Sequence, residues 1–132
     1  MAGQFSNALQ TSLLNAAFRN TAYAAPVSAY LVLFSTAPTA STPGTELSVS
    51  GYSRQAVAFG VPGVSGSGEQ IANTAAITLT AGAAWPAVVG VGYYDAATGG
   101  NYMAFDATVT SFTLASGDSV TFAIGALTIT LT

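Results

Sequence analysis

The sequence predicts a mainly β fold, an antiparallel β-sandwich of jelly-roll-like or flattened-barrel form preceded by one N-terminal amphipathic helix. Three observations carry that prediction: short runs of bulky and β-branched residues, turn signals between most of them, and a change of hydrophobic period near Pro26. At 132 residues the chain has room for one core, so it reads as a single domain, with the helix over 4–20 and the sandwich over 27–132.

The helix comes first. Phe5, Leu9, Leu13 and Ala17 recur four apart, with Leu14 and Phe18 on the adjoining row, while Asn7, Gln10, Ser12 and Asn15 fill the other face. Arg19 is expected in the last turn, where a cation suits the negative helix end. Such a helix can cover its own core or pack as an arm on a neighbouring subunit, and the pattern leaves both open.

After Pro26 the period shortens. "SAYLVLFS" (28–35) reads as a buried strand, and the Thr-, Ser- and Pro-rich stretch 36–50 as a surface loop. "SRQAVAFG" alternates Gln55, Val57 and Phe59 with Arg54, Ala56 and Ala58, giving a strand with one bulky face. "VPGVSGSGEQ" (61–70) has the composition of a flexible loop, and both loops are expected to touch neighbouring molecules. "AAITLT", "AVVGVGYYD", "NYMAFDA", "TSFTLAS", "SVTFAIG" and "ALTITLT" supply the remaining strands. Gly90 and Gly92 leave one side of their strand bare, which signals a bulge or the close approach of another backbone, from a helix or a second chain.

Composition narrows the function. Only 5% of residues are charged, against roughly 25% in an ordinary soluble domain, so much of the uncharged surface is expected to lie against other copies or other proteins. Two arginines and a net charge of −3 leave no basic patch for a row of phosphates, which argues against nucleic acid. Cysteine is absent, removing disulfides and thiolate chemistry. "MAGQFSNALQ" lacks the features of a secretory leader, so synthesis in a cytoplasm is expected. The most apolar run is broken by Pro86 and glycines, which argues against a membrane span.

The acids read as turn residues. In "DAATGGN", Asp95 starts a turn, Gly99 and Gly100 permit positive φ, and Asn101 re-enters the next strand. Neither histidine, lysine nor cysteine is available to partner Asp95 in catalysis. Asp118 falls in a turn and Asp106 at a strand end, and no calcium-loop run of acids occurs, so neither a catalytic, a metal nor a cofactor site is expected. Trp85 and the tyrosines suit either a sugar-stacking platform or core and interface positions.

The segments "LLNAAFRNTAY", "YLVLFSTAPT", "GYSRQAVAFG", "ANTAAITL", "YYDAATGGNYM" and "VTSFTLASGDSVTFAIGALTITL" follow one another along nearly the whole chain. In that order they resemble a family of small tailed-bacteriophage virion proteins that carry a tail-fibre-like label, although the family is more often aliphatic around Tyr93 and Tyr94. The resemblance implies a structural virion component with no enzymatic activity and no cofactor. It leaves two positions in the particle: a decoration or cement protein on the capsid exterior, or a component of the tail or its fibres that binds a host receptor or glycan. The short length favours the first, since an extended fibre shaft needs more chain. Partners on the cement reading are the major capsid protein and further copies of this chain, most simply as a homotrimer at a threefold position. The interface residues expected are Phe5, Leu9, Leu13 and Arg19 on the helix, with Arg54, Trp85, Tyr93, Tyr94 and Tyr102.

Overall fold

The computed structural model describes residues 2–132. In chain order these form β1 (Ala2–Phe5), α1 (Asn7–Phe18), β2 (Ala29–Phe34), β3 (Gln55–Val57), β4 (Gly63–Ser65), β5 (Gly68–Ala72), β6 (Ile77–Thr80), β7 (Gly90–Tyr94), β8 (Tyr102–Asp106), β9 (Ser119–Phe122) and β10 (Thr128–Leu131). The fold is mainly β with one helix near the N-terminus, as the sequence predicts, but its two sheets are very unequal. One has eight strands in the order β3-β2-β7-β8-β1-β10-β5-β4, and the other is the β6-β9 pair.

Strand β2 explains why the large sheet is buried on both faces at its centre. Leu31 and Leu33 join the main core with Val91 and Tyr93 of β7, Ala104 of β8, Ile129 of β10, and Ile77, Leu79 and Phe122 from the small sheet. Val32 and Phe34 alternate with them and are also fully buried. Their face is covered by the loop after β2, where Gly44 lies against Phe34 and Pro38 against Gly90. A strand buried on both sides needs a continuous apolar run, and "AYLVLF" is one. The small sheet alternates instead: Ile77 and Leu79 point inward, while Thr78 and Thr80 face water and pair their hydroxyls with Thr121 and Ser119 at 2.9 and 2.7 Å.

Several local expectations are corrected. The segment 61–70 is no flexible loop. Its two strand segments pair as the β4-β5 hairpin around Gly66, whose φ of +61° only glycine adopts freely. "TSFTLAS" makes a single bridge, Val88 to Phe112, and no strand. The helix is shorter than 4–20, because residues 2–5 extend into β1, which pairs antiparallel with β8 and parallel with β10. Ser6 then separates strand from helix: its hydroxyl accepts from the Leu9 N–H at 3.2 Å and donates to the Tyr102 carbonyl at 2.8 Å. The helix ends where Asn20 turns left-handed at φ +53°, which asparagine tolerates better than most residues.

The bare side of β7 also receives its explanation. A Cβ at Gly90 would stand 2.5 Å from Pro38 Cδ, and one at Gly92 would stand 2.5 Å from the Phe34 ring. The close approach comes from this chain's own loop and aromatic side chain, not from a helix or a second chain.

Candidate functional site

Arg54 organises the most polar cluster in the chain. Its guanidinium meets the Glu46 carboxylate in a bidentate pair, Nε to Oε1 at 2.9 Å and Nη2 to Oε2 at 2.8 Å. Nη1 donates to the carbonyls of Ala96 and Gly99 at 2.9 and 2.7 Å, and the guanidinium lies 4.2 Å from the centre of the Tyr94 ring. One cation therefore ties the loop after β2 to the tip of the β7-β8 hairpin.

The neighbours respond electrostatically. Arg54 holds the Glu46 carboxyl below the ordinary carboxylate value, and Glu46 in turn raises Arg54. Tyr52 donates to Glu46 Oε1 at 2.9 Å, and burial pushes its hydroxyl upward. Inside the hairpin, Asp95 accepts from the Asn101 backbone N–H at 2.6 Å and from its side-chain amide at 2.8 Å, which lowers the Asp95 carboxyl. Gly99 and Gly100 have φ of +62° and +76°, as the turn requires. These bonds make Arg54 and Asp95 structural ties of a rigid hairpin.

The other predicted site residues separate into two groups. Trp85 and Tyr93 are 4% and 1% exposed, so neither presents a face to a partner or a sugar. The Trp85 indole donates to the Ser50 carbonyl at 3.0 Å and meets Tyr52 edge-on. Tyr94 and Tyr102 are half-buried, their rings 5.7 Å apart, and the Tyr102 hydroxyl donates to the Thr39 carbonyl at 2.8 Å. Both hydroxyls are pushed upward by burial first of all.

The helical residues stand apart from that cluster. Phe5 closes β1, Leu9 and Leu13 are half-buried, and Arg19 caps the helix end by donating its backbone N–H to Asn15. No residue of α1 is buried, while Leu14 and Phe18 are 60% and 82% exposed. Beside them opens a groove of about 770 Å³ lined by Phe5, Leu13, Leu14, Ala17, Phe18 and Leu131 among others, with no charged side chain in its walls. A second uncharged depression, lined by Val61, Val64 and Ile124, lies around the β4-β5 hairpin. Sequence reasoning missed the outer members of these surfaces, because Leu14 and Phe18 share a helix with residues assigned to the core side and Val64 sits in a glycine-rich stretch.

No group of three or more His, Cys, Asp or Glu that could hold a metal ion occurs among the described residues. Nor is any helix among them long and apolar enough to cross a membrane. Asp106 is buried at the end of β8, where Oδ1 accepts from Thr108 twice and Oδ2 has no partner.

A sequence model of a protein family, described as podophage GP4 fiber I protein gp80, matches residues 4–130. The chain belongs to that family. No curated protein matches it. Membership in the fiber I family identifies the chain as a phage virion structural protein and agrees with a non-enzymatic role. The match takes in β1 from Gln4 onward, all of α1 and β10 as far as Thr130, so the helix and the part of its groove formed by residues 4–130 belong to the family's unit, while Ala2, Gly3, Leu131 and Thr132 of the groove lie outside the match.

Proposed function

We propose that this chain is a structural subunit of a podophage fibre that assembles with further copies of itself, as a homotrimer, through the uncharged face formed by α1, β1 and β10. The observation that carries this reading is the match to a fibre protein family over residues 4–130. The surface supports it. A Phe18 ring almost fully in water, next to Leu14 and Leu131, is the kind of apolar surface that closes on a neighbour.

Decoration of the capsid exterior, with the major capsid protein as partner, is the second reading. Its support is the composition: with only 5% of residues charged, the surface suits broad, close contact with a shell. Counting this chain against the major capsid protein in purified particles, by quantitative mass spectrometry, separates the two. A few to a few tens of copies is the expected result for a fibre, and hundreds would transfer the chain to the shell. Light scattering on the purified protein tests the interface directly: the wild type should be oligomeric, and Phe18→Asp should be a folded monomer. A monomeric wild type would remove the self-assembly claim.

A further inference from the structure

We infer that the N-terminal arm, β1 with α1, is exchanged between copies, so that β1 of one chain fills the slot between β8 and β10 of the next. The inference rests on the self-assembly proposed above and states how that assembly is made. Strand order carries it first. β1 alone joins the β3-β2-β7-β8 half of the large sheet to the β10-β5-β4 half. Unless a β1 occupies the slot, its own or another copy's, two strand edges stand open.

The slot fits this segment, and the hold on it is confined to the segment's first residues. A Cβ at Gly3 would stand 2.9 Å from the Thr128 carbonyl oxygen and 3.3 Å from Ile129 Cγ1, so the register calls for glycine there. Ser6, 1% exposed, donates its backbone N–H to the Met103 carbonyl at 2.8 Å and its hydroxyl to Tyr102, 96 positions along the chain. Asn7 donates its N–H to the Ala40 carbonyl at 2.8 Å. Beyond Asn7 the attachment weakens: the hydrogen bonds of residues 8–21 stay within 5–21, and no residue of α1 is buried. None of the bonds that seat β1 requires the slot to belong to the same chain.

The connector is built to let the arm go. Asn20 turns the chain at φ +53°, and residues 22–27 make no hydrogen bond to another described residue. Extended, 20–28 reaches about 30 Å, enough to carry the arm across to a neighbour, and straightening relieves the left-handed turn. Apolar side chains mark the same path, with Leu14, Phe18 and Val27 at 60%, 82% and 103% exposure. An arm laid on a second copy gains a surface that covers them. Exchange keeps every bond of β1 and alters only the connector. Passed from each copy to the next, it closes as a ring, which suits a homotrimer.

The chain has no cysteine, so Ala2→Cys and Thr128→Cys, at facing positions of β1 and β10, report which chain supplies the strand. After oxidation the full-length double variant should run as a covalent trimer under denaturing, non-reducing conditions. The two single variants, co-expressed, should form a bridge between unlike chains. A double variant bridged only within its own 13.1 kDa chain, while light scattering shows an oligomer, overturns the exchange and leaves the self-assembly standing. A monomeric wild type overturns both. If the cysteines do not pair, wild-type protein refolded from mixed 13C-labelled and unlabelled chains decides the matter. Nuclear Overhauser contacts between the Ala2 and Thr128 methyls across the label boundary support the exchange, and their confinement to single chains overturns it.

Discussion

Two hairpins in the same sheet are built on opposite plans. In β7-β8 the turn is tied by side chains: Asp95 holds Asn101, and Arg54 reaches from another part of the chain to the Ala96 and Gly99 carbonyls. In β4-β5 no side chain of residues 61–72 bonds to another described residue, and only the backbone ladder holds the strands. The first hairpin packs Tyr93 into the core, whereas the second leaves Val61 and Val64 in water at 91% and 82% exposure. A chain with seven charged residues places three of them, Glu46, Arg54 and Asp95, around one turn, so geometry is fixed there and left to the ladder elsewhere.

The comparison breaks most sharply at Arg54. Arg54→Ala removes a bidentate ion pair, two carbonyl bonds and an aromatic contact made by a side chain that is 9% exposed. Glu46 is a third exposed, so solvent takes up part of the loss, and a destabilisation of about 2–3 kcal/mol is expected by chemical denaturation. Native-state hydrogen exchange should quicken at Asn101 and leave residues 63–72 unchanged.

Gly92→Ala comes next. Its Cβ would press on the Phe34 ring from 2.5 Å, at a cost of about 1–3 kcal/mol read as a lowered denaturation midpoint.

Acid offers a gentler test. Glu46 and Asp95 are both held below their ordinary values of 4.5 and 3.8, by Arg54 and Asn101 respectively. Their stabilisation is therefore complete above those values and is lost as pH falls through the lowered folded ones. Below about pH 4.5 the β7-β8 amides should lose exchange protection before those of the β6-β9 pair, which contains no carboxylate.

The smallest effect belongs to the other hairpin. Gly63 has open space around its Cβ position, so Gly63→Ala should change stability by less than about 0.5 kcal/mol in either direction.

How much of this was legible in the sequence depended on whether a residue's period matched its final element. "AYLVLF", "ITLT" and "GVGYY" carry their strand signal in bulky residues, and the Asp95-to-Asn101 turn carries its own in glycine and asparagine. Residues 2–5 are too few to show a strand period, and Phe5 happens to fall in step with Leu9 and Leu13, so the helical pattern ran through them. The β4-β5 hairpin hid in glycine and serine, because a ladder needs no particular side chains. Trp85 and Tyr93 were assigned to an interface because aromatics serve surfaces and cores alike, and only the covering elements distinguish the two. The Arg54 to Glu46 pair had a faint signal in the scarcity of cations. The apolar groove beside α1 was legible only on its helical side, through Phe5 and Leu13, since its other wall comes from β10 at the far end of the chain.

Those two ends meet side by side. Ala2 pairs with Thr128 and Gly3 with Ile129 in a parallel register at the middle of the large sheet. Tension applied between residues 2 and 132 would pull β1 and β10 past each other along their length, loading the bonds between them together rather than one after another. Rupture of that kind is governed by an unfolding rate and not by an equilibrium. A subunit built this way yields to stretching in one abrupt event, and its weakest strand pairing under heat need not be its weakest under load.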